Sequence, residues 1–553
     1  MSRYLLLLGF ITIPFLALSQ DGEDRSTLLP DIDPQDIEIR GEFSARFPGL
    51  SRQPILGFNP KPRVFQLDAD RMPYIESEED AIASISPSDL ELPFSPHRQR
   101  IGYPNKGQVF GRVGFGQKAS PEARLFGETA VSENAVISGD VNFQSSGNYL
   151  TDEFSSFRYF KGRSDWIRRK NSSRLQLGLT GSSDFNHAFP GTADIANTEN
   201  SRKNYSKIGT HASYRHLNNA YNGWDLKGGY NYFQVEDDTP MPYSDEHSAR
   251  LEATRFWEGR RMEEVFTIKL NGEGNLYNTY DEQGLAWYIT RLSAFYKRNL
   301  SSSNFKAGLD VFHAYDEADE SIPLYIFPNL NFHYTGFQGG EVEFTLKSFV
   351  TNPGLEGVHT ENRQLLVSPM VQNEQGLRFT VDARYELFRG AQLFGTLNYD
   401  GYGSYSYYML NADGYTLNYD DDANIFKASG GFSYDFIPQL LTLHSDLTWR
   451  FANTSQGAVP FMENFKSSVS LYSNPIGKLY LRAWSEYRGS RPVNFDEGSL
   501  DGYLLFGAQV DFKITDNFGA YIKGLNLLNQ DYEIWQGYQE RPAQVYGGLT
   551  LHF

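Results

Sequence analysis

The chain has 553 residues, a formal net charge of −18, 41 Phe, 35 Tyr, 10 His and no Cys. The missing cysteine excludes disulfides, thiolate zinc sites, cysteine catalysis and lipid attachment at an N-terminal cysteine. The acidic balance, with no basic stripe, excludes a nucleic-acid partner, and the length suggests several domains unless the chain closes into one large β-barrel.

The first residues read MSRYLLLLGFITIPFLALSQ, with Arg3 ahead of an apolar run from Tyr4 to Phe15 and a small-x-small site at Ala17-Leu18-Ser19. That order predicts a cleaved export signal over residues 1–19, with Gln20 opening the mature chain. The apolar run falls short of the ~20 residues that cross a bilayer as a helix, and no later window comes close. A membrane location therefore requires a closed barrel, the other architecture that satisfies every backbone group in lipid.

Residues 20–106 have a different character. They hold 11 of the 25 prolines, from Pro30 to Pro104, among acidic runs such as YIESEEDAIASISPSDLELP. Proline at this density removes donors and fixes φ, so sustained helix or central strand is not expected. A short strand at Ile37-Glu38-Ile39 and a helical turn at Ala81 to Ile85 are the best local candidates. Runs such as FPGL, PILGF and RVFQL are more apolar than most disordered tails, so an exported arm and a docked cap or reduced plug both stand as readings.

From residue 107 to 553 the pattern is period-two alternation. In GLRFTVDARYELF, Leu377, Phe379, Val381, Ala383, Tyr385 and Leu387 share one face, opposite Arg378, Thr380, Asp382, Arg384 and Glu386. In LLTLHSDLTWRF, Leu441, Leu443, Leu447, Trp449 and Phe451 oppose Thr442, His444, Asp446, Thr448 and Arg450. Many runs reach roughly 10–14 residues, the length of a tilted membrane strand rather than the ~5 of a soluble sandwich. Tight breaks such as Asn171-Ser172 and Gln338-Gly339-Gly340 alternate with long polar loops such as NHAFPGTADIANTENSRKN, and aromatics gather at RFWEGR, AWYITRLSAFY and GYGSYSYY, where interface girdles would lie. The count of runs predicts an all-β transmembrane antiparallel barrel of about 20–22 strands, with 22 favoured as an even number, behind a short proline-rich N-terminal segment. A barrel this wide encloses a lumen. Lys478, Arg482, Glu486 and Arg488, and Glu341, Glu343 and Lys347, are expected to wet its wall.

Other chemistry finds little support. Asp420-Asp421-Asp422, with Asn418 and Asn424, offers oxygen ligands of the kind calcium prefers, but the spacing lacks the glycine and distal glutamate of an EF-hand loop and reads better as a solvated tip. The histidines are scattered without H-E-x-x-H spacing, and no G-x-S-x-G, phosphate loop or dinucleotide fingerprint occurs. No enzyme, metal site or cofactor is expected.

The chain ends on VYGGLTLHF. Its alternation is that of a final strand that pairs with the first to close the barrel. Val545, Leu549, Leu551 and Phe553 resemble the C-terminal sorting signal of bacterial outer-membrane barrels, which implies lipid and the barrel-insertion machinery as partners. Upstream, FGAYIKGLNLLNQDYEIWQGYQERPAQVYGGLTLHF resembles the closing segment of TonB-dependent receptors, carried by Asn526-Leu527-Leu528-Asn529, Tyr532-Glu533 and Gly537-Tyr538, with Leu528 in place of the usual aromatic. The preceding runs LYLRAWSEYRG and GYLLFGAQVDFKIT fit the same ending, so the close resemblance covers about the last 75 residues. It implies an outer-membrane, receptor-like barrel that transports a solute. Family members carry a globular plug and a box gripped by TonB, whereas residues 20–106 look short for a plug and offer only IEIRGEF, Ile37 to Phe43, as a plug-like strand. TonB as a partner, a separate plugging or surface subunit, and a plug-less binding or assembly scaffold are thus left open.

Overall fold

The computed structural model describes residues 107–553 except 150–154, 171, 188–201, 220–221, 238–242, 260–262, 280–281, 318–323, 338, 366–368, 412–413, 439 and 496–497. The expected export signal, the arm of residues 20–106, IEIRGEF and any plug or TonB box all lie outside the described residues.

Alternation becomes architecture in a simple way. Each strand has one face of Val, Leu, Ile or aromatic side chains and one of polar or small ones, and a closed sheet can turn all the apolar faces outward together. Twenty-two antiparallel strands among the described residues do this, running from Gln108–Gly116 to Gln544–His552 and closing on each other. Outward faces include Leu377 and Phe379 on Glu374–Phe388, and Leu447, Trp449 and Phe451 on Leu441–Thr454, all substantially exposed. The intervening Arg378, Thr380, Asp446, Thr448 and Arg450 face the lumen. No helix among the described residues is long and apolar enough to cross a membrane.

Closure is made by the terminal strand. Gln544–His552 pairs with Phe518–Leu525 on one side and with Gln108–Gly116 on the other, in a register that sets Leu549 opposite Val113 and Thr550 opposite Arg112. Val109 and Phe553 exchange backbone hydrogen bonds of 2.8 and 2.9 Å, so the last residue is held in the ladder while its ring is 67 % exposed.

The two rims differ. At the rim where Gln108 and Phe553 lie, strands are joined by short turns, including those at Ser172 and at Gly339, whose φ of 74° suits a residue without Cβ. At the opposite rim lie the longer connections 352–373, 489–502 and 526–543. Strand length is uneven too, from 8 residues in Phe518–Leu525 to 21 in Ala391–Asn411. A rise of ~3.4 Å per residue makes the latter about twice as long as a membrane crossing needs. Its excess pairs with Gly414–Asp420 to form a hairpin standing beyond the ring, while its first half pairs with Ala423–Ile437.

Two sequence expectations are corrected. Lys478 lies exposed in the turn before Leu479–Arg488 and is not on the lumen wall, because the strand begins one residue later than the alternation suggests. Part of the expected aromatic girdle is buried instead: Trp287 lies in the core under the inward helix, while Tyr407 and Tyr408, on opposite faces of the hairpin beyond the ring, pack in two separate clusters.

Candidate functional site in the barrel lumen

The lumen wall is charged and largely self-neutralised. Arg378 grips Asp400 through two hydrogen bonds of 2.6 and 2.9 Å, and Arg291 and Asn329 both donate to Asp310 at 2.6 and 2.8 Å. Lys227 and Lys269 share Glu252 at 2.9 Å each, Arg215 meets Asp225 at 2.6 Å, and Arg488 meets Glu486 at 2.7 Å. Of the residues expected on the wall, Glu341 lies beside His333 and Arg384, Glu343 accepts from Asn331, and Arg482 and Glu486 are almost fully covered. Such a wall holds water and would be unstable against hydrocarbon.

At the loop side of this lumen the protein's own chain folds inward against the wall. After Gly340–Thr351 the backbone turns inward and forms a helix, Gly354–Glu361, whose Leu355 and Val358 are 0 % and 1 % exposed. With Leu365 and Val371 they pack on inward aromatics of the wall, among them Tyr205, Phe233, Tyr277, Trp287 and Phe312. At its start Asn352 Oδ1 accepts from Gly354 N–H at 2.9 Å. Another starting amide is met from the wall: Glu356 N–H donates to Glu246 at 2.8 Å, and Asn275 also donates to this carboxylate. Gly354 has φ +63°, and a Cβ there would lie 2.5 Å from the Glu246 carboxylate, so only glycine fits this approach. At the other end Tyr408 donates to the Val358 carbonyl at 3.0 Å, which also accepts the Asn362 N–H.

Contacts with distant strands fix the rest of this loop. Arg363 forms an ion pair with Asp184 at 2.8 Å, and Lys207 with Glu356. Val371, Gln372 and Asn373 donate their N–H groups to Tyr277, Tyr419 and Asp316 at 3.2, 2.9 and 2.9 Å. Burial, with Lys203 nearby, holds His359 down to about 3, so this imidazole is neutral at ordinary pH. Burial pushes the Glu361 carboxyl up, partly opposed by its hydrogen bond from Tyr408.

A second infolded segment, residues 526–543, contains the residues singled out by the resemblance. Asn526 and Asn529 take positive φ values of 45° and 51°, which asparagine tolerates better than most residues. Asn526 donates to the Gln530 and Arg541 carbonyls at 2.8 and 3.1 Å and accepts from Gln530 N–H at 3.0 Å; Asn529 accepts from Ala543 N–H at 2.9 Å. Glu533 accepts from Gly537 N–H at 2.9 Å, where φ is 79°, and the Tyr538 hydroxyl meets that of Tyr149 at 3.0 Å. The Tyr532 ring packs on Tyr503 at 4.4 Å, and Leu527 and Leu528 are exposed. These residues therefore fold a loop. Val545, Leu549 and Leu551 point outward on the closing strand, apart from it, with Phe553 at its end. Trp535, inside the loop, contacts Tyr408, Tyr415 and Phe461 at 5.2, 5.4 and 4.9 Å, joining it to the core of the mouth.

Sequence reasoning missed Glu246, Tyr277, Tyr408 and the helix they support. Only their placement on inward faces near strand ends hinted at them. Asp420, by contrast, accepts from Asp422 N–H and from Ser455, so it closes its own turn.

No family model and no curated sequence matches the chain. Solved structures do. A ferric enterobactin receptor, PfeA, from Pseudomonas aeruginosa matches with a TM-score of 0.63 at 11 % identity, over 82 % of this chain and 81 % of that one. The siderophore receptor PirA from Acinetobacter baumannii matches with 0.63 at 10 % identity, over 82 % and 81 %. The copper transporter OprC matches with 0.63 at 12 % identity, over 81 % and 80 %. At these identities the likeness is one of fold: the chain has the 22-strand barrel expected from its alternating runs, of the receptor-like kind its closing segment resembles.

Proposed function

We propose that the chain is an outer-membrane barrel that admits a solute through its lumen, with the infolded loop 352–373 as the gate at the outer mouth. The carrying observation is a charged, water-compatible lumen wall with an inward segment at its loop side held through breakable polar contacts. An inert scaffold needs neither feature. The outward apolar faces match a lipid surroundings, and the expected export signal matches passage to the outer membrane. Structural neighbours named as receptors for ferric enterobactin and siderophores, and as a copper transporter, support uptake as the general task. With the ends of the barrel, Gln108 and Phe553, on the periplasmic rim, as in barrels of this kind, the longer loops face outward. The reading assigns no catalysis to the barrel, and ester hydrolysis by the purified protein would count against it.

Planar-bilayer conductance tests it. The full chain should be closed, and a chain lacking residues 20–106 and carrying Leu355→Asp should conduct. Equal conductance of the two would favour a porin or a partner-dependent scaffold.

A further inference from the structure

Cations and acids are not matched evenly around the lumen. Lys347 and Arg378 stand directly opposite each other on Gly340–Thr351 and Glu374–Phe388, four residues inside the strand ends from which the loop 352–373 leaves. Further round the wall Lys427 faces Arg450 across Ala423–Ile437 and Leu441–Thr454, and Lys466 faces Arg488 across Phe465–Ser473 and Leu479–Arg488. Like charges set opposite across two strands destabilise the sheet. Here three such pairs follow one another, in a chain whose formal net charge is −18.

The acids of this region are already engaged. Asp400 takes both bonds from Arg378, Glu463 lies 3.8 Å from Arg450, and Glu486 accepts from Arg488 at 2.7 Å with Lys466 at 3.4 Å. Asp310 is held by Arg291 and Asn329. Lys306, Lys347 and Lys427 remain. Among the described residues none of these three has an ion pair or a hydrogen bond, and Lys306 rests on the Phe295 ring at 3.9 Å, a contact that adds no negative charge. Each is half-buried, and no ammonium group of the three is wholly covered. Phe305 and Phe426, their chain neighbours, are on the outer face, and Lys347 shares the inner face of Arg378, so the three ammonium groups open to the lumen. Two strand spacings separate Lys306 from Lys347 and three separate Lys347 from Lys427. At ~4.8 Å per spacing these are about 10 and 14 Å, part of which the flexible four-carbon stems can close.

We infer that this arc of lysines beneath the infolded loop binds a multiply charged anionic solute, one body carrying several carboxylate or phosphate groups. A neutral solute would leave the opposed cations as they are, and a single charge would meet one lysine of three. Lysine is a point charge with rotatable donors and takes either kind of oxyanion. The inference rests on the reading of the barrel as a solute passage and names the charge of what passes.

Mellitate, with six carboxylates on one ring, and inositol hexakisphosphate, with six phosphates, serve as probes, and myo-inositol and acetate are the controls. The full-length protein, natural and with Leu355→Asp, is titrated in detergent by calorimetry. At least one hexaanion should saturate, and both controls should bind at least tenfold more weakly; the tighter hexaanion assigns carboxylate or phosphate. Lys306→Gln, Lys347→Gln and Lys427→Gln combined should weaken the hexaanion at least tenfold, and the three corresponding Lys→Arg changes should keep it. Lys478→Gln, in an exposed turn, should leave binding unchanged. If the triple glutamine variant does not fold, Lys347→Gln alone should weaken binding at least threefold. A hexaanion that binds only after Leu355→Asp supports both arc and gate, whereas one that binds both proteins alike supports the arc and counts against the gate. No hexaanion binding to either protein, equally tight myo-inositol, unweakened binding by the glutamine variant that folds, or equal weakening by Lys478→Gln would each overturn the arc.

Discussion

The two infolded segments are held at one mouth by opposite means. Residues 526–543 hold themselves: Asn526, Asn529 and Glu533 satisfy backbone groups a few residues away, and Arg491 adds bonds to the Glu533 and Ile534 carbonyls. Residues 352–373 are held from outside, by Glu246, Tyr277, Tyr408, Tyr419 and Asp316 on separate strands. A self-bonded loop keeps its shape wherever it sits. Residues 352–373 also bond among themselves, Asn352 to Asn373 and Gly354 N–H to Asn352, but their anchors lie on the wall, and a loop anchored there can leave as a unit, which makes it the movable one.

The largest change expected would remove both loops together. Deleting Phe553 takes away the last ladder pair with Val109, and replacing it by Glu puts a charge at an outer-face rim position, so with either change assembled protein in the outer membrane should fall sharply while export across the inner membrane continues. Unchanged outer-membrane levels would contradict the role given to the closing strand.

Next comes Leu355→Asp, which puts an unpaired carboxylate in a wholly buried apolar position at a cost of about 3–5 kcal/mol. Hydrogen exchange should rise throughout 352–373 and stay unchanged in 526–543. Arg491→Ala should produce the reverse pattern with a smaller effect, about 2–3 kcal/mol, since it removes charged hydrogen bonds to two carbonyls. If either variant loosened both loops equally, the distinction between them would fail.

The smallest effect comes from pH. His359 has a folded value of about 3, below the ~6.5 of the unfolded chain. Between these values the released loop binds a proton that the docked loop does not, so docking is fully stabilised above about 6.5 and weakens as pH falls toward 3. Glu361 acts oppositely: its raised value adds stability that is lost as pH rises through it. At pH 5.5 the histidine contribution amounts to about 1 kcal/mol. The histidine's share is read as a difference: from pH 7 to pH 5.5, exchange in 352–373, corrected for intrinsic rates, should rise more in the natural protein than in His359→Gln.

The same contrast explains what could be read from the sequence. Alternation exposes the lipid-facing surface directly, because period two in the chain is period two in space; Leu377 to Leu387 and Val545 to Phe553 carried the barrel in that way. The closing loop was legible because its bonds are local and its Asn and Gly residues mark the turns. The mouth helix was not. Its amide acceptor, Glu246, is 110 residues from Glu356, and the Asn352-Pro353 start is followed by a run of only 8 residues with two glycines, Gly354 and Gly357, a weak helix signal.

The gate can be tested most directly by lumen accessibility from the loop side. The natural chain lacks cysteine, so Thr380→Cys places one thiol on the inner wall below the mouth. In intact cells a membrane-impermeant maleimide should label it slowly, and much faster when Leu355→Asp is added. Equal labelling rates in the two proteins would contradict a mouth closed by residues 352–373.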